Sequence, residues 1–363
     1  MTSKSLNQPI ILPRSKIVLR NRSVLAALTN KQSREDGTLT QDEMRWLERR
    51  AKDGFGIVTT AAAFVHPSGK SWVGELGVHS DDMLSGLEEL SGRIRRHGAA
   101  SLVQIFHGGM RAPTDLTGEI PISSSVNKTE QSSTGYSRSM GEQEIEEAIQ
   151  WFATAAQRCS DAGFDGIEIH GAHGYLISQF LGTKTNRRED DWGGSRKDRF
   201  RFLMEIVRRI KKTVPSNFII AVRISPTYPS CGITIEDSLD LSRDLIDEGI
   251  DILHLSCWDI SKKTHDGSDA IPITAEFSRK IGGQIPILTT GGIWDENDVS
   301  EAFFQGADML GVGRAGIAHP DWPSRVHTHN NTRPPFTRKQ LSEADLSPVF
   351  IDYMCRWDGF VED

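Results

Sequence analysis

The chain has 363 residues, a formal net charge of −7 and a sequence pI near 5.9. This acidic balance argues against a nucleic-acid-binding protein, which would carry a basic stripe, and against a protein drawn to anionic membrane surfaces. A hydrophobic content of 37% and a charged content of 25% are typical of a soluble globular protein that buries a large core without disulfides.

The N-terminus and the cysteines both favour a cytoplasmic protein. Residues 1–16, MTSKSLNQPIILPRSK, lack the apolar stretch of a signal peptide, and no later run approaches the length of a membrane span. The four cysteines lie far apart without CxxC spacing: Cys159, Cys231, Cys257 and Cys355. We therefore expect reduced thiols and no zinc or iron–sulfur site.

A junction of helix end, glycine and buried strand recurs along the chain. It is clearest in KDGFGIVTT (52–60), DAGFDGIEI (161–169), DEGIDILHL (247–255) and FQGADMLGV (304–312). Glycine just beyond a helix takes the left-handed conformation that ends the helix without strain at Cβ. At helix starts, the pairs Thr40-x-x-Glu43 and Ser139-x-x-Glu142 indicate capping boxes, and Ser195-x-x-Asp198 indicates a weaker acidic variant.

Alternation of these strands with helices predicts eight parallel βα units. The expected strands are short apolar runs at 24–28, 56–60, 101–106, 166–169, 218–224, 251–256, 286–290 and 307–312. Eight units favour an α/β fold of the (β/α)8 TIM-barrel class, with residues 1–363 forming a single domain. Residues 1–20 would cap its bottom, and residues from about 321 to 363 would form a C-terminal extension. Two long loops, about 107–142 and 170–196, would follow strands three and four.

Polar side chains stand at or just after several strand ends, on the rim where such barrels build their sites. Thr29 follows strand one, Gln104 lies at the end of strand three, His170 and His173 follow strand four, and Arg223 ends strand five. A closed barrel brings these distant positions together.

The loops after strands seven and eight carry glycine-rich segments, TTGG at 289–292 and GVGRAG at 311–316. Glycines let backbone N–H groups approach an anion closely, and Arg314 adds a charge-assisted hydrogen bond, so the pair of loops is typical of a phosphate cup. Two tight turns with a surface arginine are the alternative.

The segment HGAHGYLISQFLGTKTNRREDDWGGSRKDRFRF (170–202) closely resembles the old yellow enzyme family of FMN-dependent ene-reductases. The resemblance continues in NRSVLAALT (21–29), VQIFHGG (103–109), FIIAVRIS (218–225) and the two glycine loops, and it covers roughly residues 10–320. It implies FMN as cofactor and NADPH or NADH as hydride donor.

The resemblance implies that His170 and His173 hydrogen-bond the carbonyl or nitro oxygen of a substrate lying over the flavin, where negative charge develops. Buried structural histidines are the alternative, and metal binding is not expected because the motif holds no acidic or cysteine partner. Tyr175 is similar to the acid that protonates the alkene carbon opposite the one taking hydride, since a phenol stays protonated at neutral pH. A tyrosine of the core or rim is its alternative.

For the cofactor, the resemblance implies that Gln104 pairs with the flavin pyrimidine edge and that Arg223 faces flavin N1 and O2. A satisfied core amide and a structural ion pair are the respective alternatives. Thr29 would hydrogen-bond flavin O4. Further cofactor contacts are expected from Ala27, Leu28, Ala62, Gly291, Gly292, Gly313 and Arg314.

The implied activity is transfer of hydride from NAD(P)H through flavin N5 to the double bond of an α,β-unsaturated carbonyl or nitro compound, with Tyr175 as proton donor. The alternatives are a flavin-free phosphate-binding TIM-barrel isomerase or lyase and a flavin-binding protein without this turnover. The expected partner is the small-molecule activated alkene. A monomer and a homo-oligomer both stay open. By likeness to some members of the family, Arg356 and Trp357 in the tail could reach the active site of a neighbouring subunit, and a plain surface tail is the alternative.

Overall fold

The computed structural model describes residues 4–328 and 332–362, and eight parallel strands in them form a closed barrel. The strands are β1 (Ser23–Leu25), β2 (Ile57–Phe64), β3 (Ala100–Phe106), β4 (Gly166–Gly171), β5 (Ile219–Ile224), β6 (Ile252–Ser256), β7 (Ile287–Thr290) and β8 (Met309–Val312). Each strand pairs with the next along the chain, and β1 closes the ring by pairing with both β8 and β2. The predicted (β/α)8 barrel is confirmed.

Helices lie between the strands and after the last one. They are α1 (Gln41–Lys52), α2 (Leu84–Arg95), α3 (Thr114–Thr117), α4 (Glu142–Asp161), α5 (Leu176–Leu181), α6 (Arg196–Thr213), α7 (Ile235–Glu248), α8 (Ile273–Ile281), α9 (Glu296–Phe304), α10 (Arg314–Ala318), α11 (Trp322–Arg325), α12 (Arg338–Glu343) and α13 (Pro348–Met354). Single 3-10 turns occur at Pro67–Gly69, Asp81–Met83, Gly109–Arg111 and Val326–Thr328. Two-residue strands occur at Ile10–Ile11, Val18–Leu19, Leu76–Gly77, Ile122–Ser123 and Arg138–Ser139. No helix in the described ranges is long and apolar enough to cross a bilayer.

The glycines that end the helices have the predicted left-handed backbone. At Gly249, φ is 79°, and its N–H reaches the carbonyls of Leu245 and Ile246 at the end of α7. Positive φ also occurs at Gly54, Gly98, Gly163, Gly283 and Gly306. Each therefore lets the chain turn from a surface helix into the next buried strand.

Two apolar layers hold the barrel together. The larger lies between the strands and the surrounding helices, and it includes the buried apolar face of α4. The smaller lies inside the barrel, where Leu12 and Leu19 of the N-terminal hairpin pack with residues near strand starts such as Val24 and Ile57. The hairpin thus closes one end of the cylinder, and the opposite end is left for a site.

Three strands end at a different residue from the one predicted, while the starts of the strands agree to within two residues. β1 ends at Leu25, so Ala27 lies beyond it. β2 continues to Phe64 with an irregularity in its pairing, so Ala62, predicted to follow the strand, lies within it. β4 continues to Gly171 and includes His170. The sequence of a buried apolar run does not indicate where the backbone hydrogen bonding of the strand ends, because residues within the strand and just beyond it are equally apolar.

The helix caps were predicted with mixed success. Thr40 accepts from the Glu43 N–H at 3.2 Å, but the Glu43 carboxylate binds other buried side chains, so the box is half formed. The cap predicted at Ser139 was wrong, because Gly141 precedes α4 and Glu144 reaches back to its N–H. Ser195 caps α6 as predicted, accepting from the backbone of the third helical residue.

Candidate active site

A cleft opens at the carboxyl end of the barrel, opposite the N-terminal hairpin. It consists of two adjoining cavities of about 400 and 240 Å³, which share lining residues such as Arg223 and Arg314. The predicted site residues all line one or both cavities: Ala27, Leu28, Thr29, Ala62, Gln104, His170, His173, Tyr175, Arg223, Gly291, Gly292, Gly313 and Arg314. A wider groove of about 1190 Å³ lies between α7 and α8 and contains none of them.

A row of hydrogen-bonded polar side chains crosses the inside of the barrel, with Gln104 and Thr290 at the cleft and Glu168 and His254 behind it. Gln104 Nε2 donates to Glu168 Oε1 at 2.6 Å, and Glu168 Oε2 lies 2.5 Å from His254 Nδ1. His254 Nε2 lies 2.6 Å from the Thr290 hydroxyl. Burial opposes a charge on Glu168, but His254, Arg223 and Gln104 outweigh burial and lower its pKa. Burial also lowers the pKa of His254, although Glu168 opposes this.

The hydrogen bonds define the order of donors and acceptors in the row. The Glu168 carboxylate accepts from Gln104 Nε2 and from the Nδ1–H of His254. His254 Nε2 and the Thr290 hydroxyl form the next hydrogen bond. Gln104 donates one amide N–H to Glu168. The side-chain carbonyl oxygen of Gln104 and its second N–H therefore remain available to a ligand in the cleft.

Arg223 brings a buried positive charge to the cleft from the end of β5. Its Nη1 donates to the Ala27 carbonyl at 3.1 Å, and its Nη2 donates to the Ser256 hydroxyl at 3.0 Å. Its buried Nε has no partner among the described residues. Burial lowers the Arg223 pKa, yet a guanidinium stays charged at neutral pH. An unsatisfied buried donor at a cavity wall indicates a place for a ligand acceptor.

The two predicted histidines lie side by side, with ring centroids 5.0 Å apart. Burial lowers the pKa of both His170 and His173 well below the ordinary value, and the charge of Arg223 adds to this. Both are therefore neutral imidazoles at neutral pH. The buried Nδ1 of His170 has no hydrogen-bond partner among the described residues, whereas His173 Nε2 lies 2.7 Å from Ser256 Oγ.

The backbone of His173 is held in a left-handed conformation, with φ of 62°. Its N–H donates to the Ser225 hydroxyl at 3.0 Å, and its carbonyl accepts from Arg111 Nη1 at 2.6 Å. A non-glycine residue in this region costs about 1–3 kcal/mol, and such strain clusters at functional sites. The hydrogen bonds on both sides of the residue offset that cost.

Tyr175 stands just before α5 and projects into the same cavity. Its ring packs edge-on against Phe106 at 5.1 Å, and the ring centroid of His170 lies 5.4 Å away. The guanidinium carbon of Arg111 lies 4.5 Å from its centroid. Burial raises the pKa of the Tyr175 hydroxyl. This hydroxyl has no hydrogen-bond partner among the described residues, so it is free to donate a proton into the cleft.

The glycine loops form the far end of the cleft. A Cβ on Gly291 would lie 2.5 Å from the Trp258 backbone, and Gly292 has φ of 68°, so both positions require glycine. A Cβ on Gly313 would meet no atom within 4 Å, because this glycine faces open cavity. Arg314 is exposed beside it and has no ion pair among the described residues.

Several lining residues escaped the sequence analysis. Trp258 lies just after β6. Residues at the ends of other strands were considered from the sequence but none at the end of strand six was named, so the same criterion could have found Trp258. Arg111 and Trp72 lie in the connections after β3 and β2, where no motif marks them. Tyr353 and Trp357 come from the C-terminal extension and line the cleft of their own chain. The tail is therefore more than a surface appendage.

Comparison with known proteins agrees with this geometry. Residues 5–333 match the sequence model of the NADH:flavin oxidoreductase / NADH oxidase family. A probable NADH-dependent flavin oxidoreductase of Bacillus subtilis is 34% identical over 331 residues, covering 89% of this chain and 88% of that protein. An NADH:fumarate oxidoreductase of Klebsiella pneumoniae is 32% identical over 90% of this chain. The match spans only 36% of the length of that protein.

The fold is also similar to a solved structure. An old yellow enzyme homologue from Zymomonas mobilis superposes with a TM-score of 0.82 and covers 96% of this chain and 99% of its own. The two sequences are 24% identical, so this likeness shows the fold alone.

Proposed function

The chain belongs to the NADH:flavin oxidoreductase / NADH oxidase family, the old yellow enzyme family that its motifs resemble, and from this we propose that it reduces the carbon–carbon double bond of α,β-unsaturated carbonyl or nitro compounds. Membership makes it an FMN-dependent oxidoreductase that uses NADH or NADPH. The flavin-free isomerase or lyase is thereby disfavoured. The remaining alternative is a flavin-binding protein without this turnover, and anaerobic titration distinguishes it from an ene-reductase.

The residues of the cleft fit FMN. The Gln104 carbonyl oxygen and its free N–H suit a pyrimidine edge, and the orphaned Nε of Arg223 lies on the same wall. The open face of Gly313 and the unpaired cation of Arg314 suit a phosphate. When bound, FMN supplies transfer of a hydride, taken from NADH or NADPH, to the alkene.

The observation that carries the proposal is the convergence of His170, His173 and Tyr175 on one cavity with the groups that fit FMN. The histidines are neutral and donate N–H groups to the carbonyl or nitro oxygen, which gains negative charge as the β-carbon takes hydride. Tyr175 gives its hydroxyl proton to the α-carbon. One hydride and one proton thus add across the double bond, and the nicotinamide leaves oxidised.

The test is to purify the protein, record its visible spectrum and titrate it anaerobically with NADH and then with NADPH. We expect bound FMN that is bleached by one or both nicotinamides and reoxidised stoichiometrically by an enone or nitroalkene, with the saturated product recovered. A protein that takes up no FMN would overturn the proposal. So would bound flavin that nicotinamide reduces but no activated alkene reoxidises.

A further inference from the structure

The cleft is lined by three arginines and, among the described residues, by no aspartate or glutamate. They are Arg111, Arg223 and Arg314, and none of them has an ion pair in the part of the chain that the structure describes. Many other arginines of the chain, which has a net charge of −7, form ion pairs with aspartate or glutamate. A cation without a direct ionic partner, at the wall of a cavity, indicates an anionic ligand group. The proposed function uses Arg223 and Arg314 but leaves Arg111 without a role.

Arg111 lies where the substrate groups converge. It ends the 3-10 turn Gly109–Arg111 after β3, and its Nη1 donates to the His173 carbonyl at 2.6 Å. Its guanidinium carbon lies 4.5 Å from the centroid of the Tyr175 ring. Arginine has five N–H donors, and the described residues accept only this one hydrogen bond. The exposed side chain therefore keeps most of its donor fork free, next to the residues proposed to bind and protonate the substrate.

We propose that Arg111 binds a carboxylate on the substrate, so that the enzyme acts on activated alkenes that carry a carboxylate in addition to the carbonyl or nitro group. The planar guanidinium matches a carboxylate in a two-point hydrogen bond. The contacts with Tyr175 and the His173 carbonyl hold the guanidinium in place, so little freedom is lost when the anion binds. The inference rests on the proposed function and names its substrate class.

The carboxylate and the activating group must be different groups. A carboxylate already bears negative charge and withdraws electrons weakly, whereas a ketone held by His170 and His173 takes up the charge that develops. An alkene flanked by a ketone on one side and a carboxylate on the other meets both requirements. The probe is (E)-4-oxopent-2-enoic acid, and its methyl ester is the matched neutral compound.

The experiment compares kcat/KM for the acid and the ester in the FMN-loaded wild type, Arg111→Gln and Arg111→Lys. The control is Lys128→Gln, which removes an exposed positive charge from the same connection without lining the cleft. We expect the acid-to-ester ratio to fall about 10- to 100-fold in Arg111→Gln, as loss of charge-assisted hydrogen bonds implies. Arg111→Lys should restore part of the ratio, and Lys128→Gln should keep the wild-type value.

A binding measurement checks the same point without turnover. The saturated acid, 4-oxopentanoate, and its methyl ester are titrated into oxidised enzyme, and the flavin absorbance shift gives Kd. Arg111→Gln should weaken binding of the acid about 10-fold or more, and weaken binding of the ester less.

Three results would contradict the role of Arg111 in binding a substrate carboxylate, and they differ in whether the proposed function stands. If Arg111→Gln lowers kcat/KM for acid and ester alike, Arg111 only braces Tyr175 and His173, and the inference is overturned while the proposed function stands. If the variant loses kcat/KM with NADPH but not with NADH and keeps its acid-to-ester ratio, the anion is the coenzyme phosphate, which also overturns it. If the wild type reduces neither compound nor any other activated alkene, the proposed function fails, and the inference fails with it.

Discussion

Glu168 and Arg223 are the opposite charges buried in and behind the cleft, and they interact through space without forming a direct ion pair. Glu168 is instead hydrogen-bonded to Gln104 and His254, and Arg223 to Ala27 and Ser256. The positive charge therefore keeps an unsatisfied nitrogen at the cavity wall, while the negative charge stays behind it. Such an arrangement aims positive potential at a ligand that gains negative charge.

Glu168→Gln should make the reduction potential of bound FMN more positive. The substitution keeps the side-chain shape but removes a negative charge that opposes reduction and partly offsets Arg223. It should also lower the free energy of unfolding by about 1–3 kcal/mol, because the amide has a single oxygen and one of the two buried donors loses its acceptor. Equilibration of the holoenzyme with reference dyes measures the potential, and urea unfolding measures the stability.

Asp251→Asn is the matched control for Glu168→Gln. Asp251 is also a buried carboxylate, but it binds Arg14 and backbone N–H groups at the closed end of the barrel. This variant should lose stability and keep the wild-type potential. An equal change of potential in both variants would show that Glu168 acts only through the stability of the barrel.

Acid should destabilise the fold through His107, whose pKa burial lowers to about 3. A histidine in the unfolded chain has a pKa near 6.5. At acidic pH the imidazole is therefore protonated in the unfolded chain while it is still neutral in the folded protein. The contribution to stability is complete above about pH 6.5 and is lost as the pH falls towards 3. The free energy of unfolding should decrease when the pH is lowered from 7 to 5. This decrease should be about 2 kcal/mol smaller in His107→Gln than in the wild type.

Urea unfolding of the holoenzyme at both pH values measures this difference. His265→Gln, on an exposed loop, serves as the control and should follow the wild type. Since every variant keeps the other acid-sensitive groups, only the difference between variants is interpreted. A wild-type pH response in His107→Gln would mean that this imidazole titrates normally.

The sequence located the barrel and most of its rim because both depend on local rules. Glycine after a helix and a short apolar strand require only a few neighbouring residues, so Gly249 could be assigned its backbone conformation in advance. His170, His173 and Tyr175 were found because they share one spaced motif. Their convergence with Gln104 then followed from barrel closure.

The remaining features depend on contacts between distant segments. Glu168 lies within the apolar strand GIEI. The local sequence does not indicate that its side chain points into the barrel and forms a hydrogen bond with His254, which lies 86 residues later in the chain. Ala62 was misplaced because the pairing of β2 is irregular between Thr59 and Ala62. Trp357 lines the cleft only because the extension folds back over the barrel, and no local pattern encodes that path.

Gly313→Val should weaken FMN binding about 10- to 100-fold, the range expected when bulk is forced into an occupied space. A Cβ on Gly313 meets no protein atom within 4 Å, so the added side chain enters the space assigned to the phosphate. Fluorescence titration of apoprotein with FMN measures the loss. Unimpaired binding would place the phosphate elsewhere.

Gly311→Ala makes the contrasting case. A Cβ there would lie 1.9 Å from the Thr290 hydroxyl, which binds His254. We expect this variant to lower the melting temperature of the apoprotein more than Gly313→Val does, because overpacking of a filled site costs about 1–3 kcal/mol. The reverse order would contradict the assignment of open space to Gly313.

Tyr175→Phe should slow reoxidation of the reduced enzyme by an enone about 100-fold or more, the range that a positioned general acid contributes. Reduction by nicotinamide needs no proton from this hydroxyl and should stay close to the wild-type rate. Burial raises the pKa of Tyr175, so the wild-type hydroxyl is protonated throughout neutral pH. The wild-type rate of reoxidation should therefore be flat from about pH 6 to 9 and fall only above the ordinary tyrosine pKa of about 10. Stopped-flow traces of the two half-reactions across this range measure both effects, and equal slowing of both in the variant would remove Tyr175 from the acid role.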